Sequence, residues 1–192
     1  MIYQVTALVI LAFFYGCYFL KMLMQQRKGI RTDQIGQGKV DFVKFVEVTM
    51  KIATLLVPAA QVISILLNTT CFWAPFRICG AVIGALGATV FVTSVVTMRD
   101  SWRAGVSKTD KTELVTDGIY QISRNPAFLG FDLVYIGILL MFFNPWLLIA
   151  SVSAMLMFHL QIVNVEEDFL LETFGQEYLA YKKKVNRYIG RK

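Results

Sequence analysis

Three side chains in this sequence have the makings of a reaction centre. They are Arg124, within the run GIYQISRNPAF (118–128), and the adjacent carboxylates Glu166 and Glu167, which open the run EEDFLLETFGQEYLAY (166–181). A guanidinium keeps its charge beside a membrane and can steer an anionic group. A carboxylate can hold an ammonium or hydroxyls, or accept a proton. Between the two runs, from residue 127 to 165, the only acidic, basic or imidazole side chains are Asp132 and His159, and Asn144-Pro145 interrupts the apolar stretch near its middle. That pattern predicts a hairpin of two spanning helices with a turn at Asn144-Pro145. Arg124 lies about twenty residues before the turn and Glu166 about twenty after it, so at roughly 1.5 Å per residue both reach the same membrane face. The arginine is therefore expected to meet the carboxylate pair.

Composition sets what must position these groups. The 192 residues are 56% hydrophobic and 17% charged, against about a quarter charged in soluble domains, and the mean hydropathy is +0.57. The expectation is an all-α integral membrane protein, a polytopic bundle of about five transmembrane helices, with no length left for a separate soluble catalytic domain. Apolar windows at 5–24, 45–67, 76–98, 127–143 and 146–163 supply the spans. The first lacks a positive n-region and a cleavage-like site and is expected to stay in the membrane. Residues 1–98 then form the N-terminal transmembrane helices, and 99–192 the reactive region with its hairpin and C-terminal helix, within one structural domain. Cys17, Cys71 and Cys79 are scattered and lack metal or disulfide spacing, so they read as small apolar fillers.

Basic residues gather in three segments: Lys21, Arg27, Lys28, Arg31, Lys39 and Lys44; Arg99, Arg103, Lys108, Lys111 and Arg124; and Lys182, Lys183, Lys184, Arg187, Arg191 and Lys192. They alternate with the nearly uncharged connections 68–75 and 144–145, which puts the N-terminus outside and the C-terminus and both motifs in the cytosol. The net charge of +6 is accounted for by this rule and by attraction to anionic lipid, without nucleic acid. Gly80, Gly84, Gly87 and Ala88 form a small-residue stripe suited to close helix packing, inside the monomer or at a dimer seam. Pro58 is expected to kink the second span. Phe169, Leu170, Phe174, Tyr178 and Tyr181 give the tail an amphipathic helical pattern with a possible break at Gly175, so that it could fold back as a lid. Asp132 and His159 fall at similar depth on the two arms of the hairpin, where a structural pair or a proton role are both open. Trp102 and Arg103 read as an interfacial pair, and Lys182–Lys184 as a surface anchor.

The segments LVTDGIYQISRNPAF and EEDFLLETFGQEYLAYKKKVNRYI, separated by an apolar hairpin, resemble the isoprenylcysteine carboxyl methyltransferase and phospholipid methyltransferase group of integral membrane enzymes. The usual form is LVxxGxYxxxRHPxY, then EE and FGxxYxxY, and the likeness runs from Trp102 onward. It implies S-adenosylmethionine as methyl donor in a cytosolic pocket between the loop and the last helix. Carried over residue by residue, the donor contacts are Leu114, Val115, Tyr120, Asn125, Pro126, Phe128 and Glu166, with Arg124 and Glu167 at the polar centre of the reaction. Aromatic faces suit a sulfonium, and Glu166 suits the donor's ammonium or ribose hydroxyls. The implied acceptor is an amphiphilic small molecule or lipid entering from the bilayer, with membrane lipids as the other partners. Two departures stand out. The motif's His is Asn125 and its final Tyr is Phe128, and Ile162 stands where prenylcysteine enzymes carry an arginine, one turn before the carboxylate pair, for the substrate carboxylate. Two other classes stay open at this point: an NADPH-dependent membrane reductase of sterol-reductase type, for which Arg99, Arg103 and Lys108 would be the phosphate-binding cations, and a non-catalytic lipid-binding protein.

Overall fold

The structure is a computed structural model that describes residues 1–30, 32, 33, 35, 41–103, 105 and 113–191, with Asp41 described through its backbone alone. Arg31, Lys39, Lys108, Lys111 and Lys192 of the basic segments lie outside the described residues.

Among the described residues six α-helices follow in chain order: α1 (Ile2–Arg27), α2 (Asp41–Leu66), α3 (Ala74–Met98), α4 (Pro126–Met141), α5 (Pro145–Gln161) and α6 (Glu167–Lys184). Prolines open α3, α4 and α5 at positions where the missing N–H would have had no intrahelical partner. Asn144 caps α5 by accepting from the Leu147 amide at 3.0 Å. Its own amide donates to Ser64 Oγ at 2.7 Å and Thr69 Oγ1 at 3.1 Å, tying the turn to the end of α2. Among the described residues, four helices are long and apolar enough to cross a membrane: α1, α2, α3 with its extension to Ser101, and the run from Pro145 to Lys184. The fifth anticipated span, α4, is shorter than the window from which it was expected. Its 16 residues reach about 24 Å, less than the roughly 30 Å of a hydrocarbon core.

The molecule is a helical membrane bundle, and its α3–α4 seam explains the glycine stripe. A Cβ placed on Gly137 would lie 2.5 Å from the Gly84 amide nitrogen, and one on Gly87 would lie 2.8 Å from the Gly130 carbonyl oxygen. The stripe therefore packs inside the monomer, against a matching pair of glycines on α4. Above this seam Phe14, Phe91 and Phe131 interlock, with ring centroids 4.7 and 5.2 Å from Phe131.

The tail does fold back. Gly175 adopts φ +49, a left-handed conformation that breaks α6 into two arms. Lys182 Nζ consequently reaches Glu167 Oε2 at 2.7 Å, whereas fifteen residues of straight helix would hold them about 22 Å apart. The chain beyond α6 returns to the loop before α4. The Arg124 amide donates to the Asn186 carbonyl at 3.1 Å and the Gly190 amide to the Ile122 carbonyl at 2.8 Å. Tyr120, Tyr178, Tyr181 and Val185 form the core of this cap, with Leu114, Val115, Ile119, Leu170 and Phe174 packed around them.

Asp132 and His159 do not pair. His159 Nδ1 is 2.6 Å from the Tyr188 hydroxyl, and Asp132 Oδ1 is buried without a partner among the described residues. Counting residues from a turn gives depth along each helix and leaves the direction around it undetermined.

Candidate functional site

The convergence anticipated between the two motifs is made by Arg124 and Glu167. Arg124 Nη2 lies 3.0 Å from Glu167 Oε1, with both side chains almost fully buried. Arg124 Nη1 donates to the Tyr178 hydroxyl at 2.6 Å. Two further cations complete the cluster: Arg187 Nε donates to Glu167 Oε1 at 2.7 Å and Lys182 Nζ to Oε2 at 2.7 Å. Lys182 is thereby withdrawn from the surface anchor in which the sequence placed it, while Lys183 and Lys184 stay exposed. Burial would push the Glu167 carboxyl up. The hydrogen bonds from Arg187 and Lys182 and the charge of Arg124 outweigh it and hold the group at about 2.

The other residues expected at the site divide among three surroundings. Tyr120 is in the cap core, its hydroxyl 2.8 Å from Ser94 Oγ on α3 and its carbonyl accepting from the Tyr181 hydroxyl at 2.6 Å. Leu114 and Val115 pack against the same cluster. Asn125 stands at the N-cap position of α4 with Pro126 behind it; its side-chain amide donates to the Arg187 carbonyl at 3.1 Å, so the residue in the motif's histidine position holds the returning tail. Phe128 faces elsewhere, onto an open cavity of about 550 Å³ lined by residues of α1, α2, α3, α4 and α5 and of the connections after α1 and α3. Tyr18, Pro58, Phe91, Trp102, Phe131 and Phe158 give that cavity its largely aromatic wall, and Asp33, Lys51 and Arg103 its charged part. Lys51 and Asp33 form an ion pair at 2.5 Å. Glu166 sits at the α5–α6 junction, where Gln161 Nε2 donates to its Oε1 at 3.4 Å.

Sequence reasoning missed Tyr178, Lys182, Arg187, Glu47 and Gln161. The first three stood within recognised patterns, an apolar helix face and a basic tail, and only the fold-back at Gly175 turns them toward Glu167. Glu47 and Gln161 lie in apolar spans, and a carboxylate inside such a span was a signal open to reading.

A zwitterionic donor would need both kinds of unmet hydrogen-bonding capacity, and both are present. Arg124 Nε is a buried donor and Gln161 Oε1 a buried acceptor, each without a partner among the described residues. The residue types fit S-adenosylmethionine.

The profile of the phospholipid methyltransferase family matches residues 75–177, more than half of the chain. The chain belongs to the phospholipid methyltransferase family. Among curated proteins it is 40% identical over 72 residues to the protein-S-isoprenylcysteine O-methyltransferase of Saccharomyces cerevisiae, covering 38% of this chain and 30% of that one. It is 30% identical over 102 residues to protein-S-isoprenylcysteine O-methyltransferase B of Arabidopsis thaliana, covering 52% of each. With the protein-S-isoprenylcysteine O-methyltransferase of Xenopus laevis it shares 37% identity over 78 residues, covering 41% of this chain and 27% of that one. The chain thus spans between about a quarter and about a half of the length of these relatives.

Proposed function

We propose that this protein is a membrane-embedded S-adenosylmethionine-dependent methyltransferase acting on an amphiphilic or lipid-like acceptor. The observation that carries the reading is the 3.0 Å contact between Arg124 and Glu167, one from each half of the family's two-part motif; Ala127 and Phe128, at the start of α4, line the aromatic cavity. When bound, S-adenosylmethionine supplies an electrophilic methyl group on a good leaving group, so alignment and exclusion of water are the tasks left to the protein. Leu114, Val115, Tyr120 and Pro126 form the apolar side of the donor site, and Asn125 fixes the tail over it. Glu166 offers a carboxylate to the donor, and Arg124 offers its unmet Nε–H. Phe128 stands between the donor site and the acceptor's cavity. A carboxylate held by three cations accepts a proton poorly at neutral pH, which favours an anchoring role for Glu167 over that of a base.

Titration calorimetry in detergent separates the classes. S-adenosylhomocysteine is expected to bind in the micromolar range and NADPH to show no heat. Binding of NADPH alone would favour a reductase, and binding of neither would favour a lipid-binding protein. The reductase reading has less support, since Arg103 Nη1 is directed to the carbonyls of Asp100 and Trp102 at 2.6 and 2.8 Å.

The basic segments support an N-terminus outside and a cytosolic cap. With Cys71 replaced, a cysteine at Thr70 should react with an impermeant thiol reagent in intact cells and one at Lys183 should not. The reverse pattern would invert the orientation.

A further inference from the structure

The resemblance begins at Trp102 and the family match at residue 75, yet a carboxylate from α2 shares a hydrogen-bond donor with Glu166. Glu47 is fully buried, on the seventh residue of α2, where that helix packs against α5. Gln161, also fully buried, ends α5. Its amide nitrogen donates to Glu47 Oε1 at 3.5 Å and to Glu166 Oε1 at 3.4 Å, so one side chain bridges carboxylates from two helices. A π turn over Ile162–Glu166 makes this possible. In an α-helix residues five apart point about 140° from one another, whereas a turn closed by i→i+5 bonds brings them to one side, a geometry often found at functional sites.

The amide Nε2 serves both carboxylates, and Gln161 Oε1 is left buried with no partner among the described residues. Such an acceptor costs free energy unless a donor arrives. Two carboxylates and an amide oxygen together suit a ligand that carries positive charge and several N–H donors, an alkylammonium group.

We infer that Glu47, Gln161 and Glu166 form the seat of the methyl donor's α-ammonium group, with the N-terminal half of the chain contributing Glu47 to the donor site. This rests on the S-adenosylmethionine reading above. The opposite charge of the donor's amino-acid moiety is matched separately, by the unmet Arg124 Nε–H.

The test compares S-adenosylhomocysteine with its desamino analogue, in which hydrogen replaces the α-amino group, by calorimetry on the detergent-solubilised full chain. Losing one charge-assisted hydrogen bond is expected to weaken S-adenosylhomocysteine about 10- to 100-fold in Glu47→Gln. The desamino analogue should bind the wild type about that much more weakly and lose nothing further in Glu47→Gln. Gln161→Met, on a different helix and of similar volume, should show the same selectivity and covers the case in which Glu47→Gln does not fold. Undiminished S-adenosylhomocysteine affinity in both variants, or equal loss of both ligands, would overturn the assignment while leaving the methyltransferase reading in place. If the wild type binds no S-adenosylhomocysteine, that reading falls and this site with it.

Discussion

Replacing Glu167 by alanine is expected to release the C-terminal cap. The substitution leaves the guanidinium of Arg124 buried with no carboxylate partner and sets Arg187 and Lys182 beside it. Breaking a buried ion pair from one side costs about 3–5 kcal/mol, a large share of a typical total stability of about 5–15 kcal/mol. The loss should appear first where the tail is tied down, as faster hydrogen exchange at the amides of Arg124 and Gly190, whose acceptors are the Asn186 and Ile122 carbonyls. Loss of S-adenosylhomocysteine binding should follow. Glu167→Gln, which keeps the shape and an acceptor oxygen, should lose less, and Lys183→Ala, at an exposed position, should lose nothing. The pH dependence has a definite sign. The folded carboxyl, at about 2, lies below its unfolded value, so its stabilisation is fully present above about pH 4.5 and fades as pH falls toward 2. Glu167→Ala should lack that acid-dependent step. A cap as well protected in Glu167→Ala as in the wild type would show that the ion cluster does not hold it.

N-acetyl-farnesylcysteine should be a poor acceptor, by at least about 100-fold in kcat/KM, relative to a neutral or differently charged amphiphile of similar tail. The relatives are named for isoprenylcysteine, but the resemblance to prenylcysteine enzymes implies an arginine where this chain has Ile162, an uncharged and fully buried side chain. A carboxylate brought there without a cation meets an uncompensated desolvation cost of several kcal/mol. Arg124 is not a ready substitute, since its two terminal nitrogens are engaged by Glu167 and Tyr178. The measurement is transfer of a tritiated methyl group to N-acetyl-farnesylcysteine and, in parallel, to a lipid extract of the native host. Efficient methylation of the first would show that another cation meets the carboxylate. Arg103→Ala and Lys51→Ala, which change the charged residues of the cavity wall, would then identify it.

Much of this was legible from residue order alone. The spans at 76–98 and 146–163 agree with α3 and α5 to within two residues, because apolar runs of that length bounded by proline and polar residues have few alternatives in a membrane. The turn at Asn144-Pro145 and the meeting of the two motifs followed from counting along helices of known rise. The small-residue stripe was legible too, and its partners, Gly130 and Gly137, became visible only once α3 and α4 were packed.

What the sequence by itself determined is the helical membrane class, the hairpin and the arrival of Arg124 beside the carboxylate pair. These depend on length, hydropathy and helical rise, which are one-dimensional quantities. The tertiary structure decided which carboxylate Arg124 takes, that His159 binds Tyr188 instead of Asp132, and that Lys182 and Arg187 close over Glu167. It also decided that Glu47, from a helix outside the recognised motif, shares a hydrogen-bond donor with Glu166. Each of these depends on direction around a helix axis. The break at Gly175 was legible as a glycine within an amphipathic pattern, but the direction in which its φ of +49 sends the second arm, like the π turn, leaves no periodic trace in the sequence.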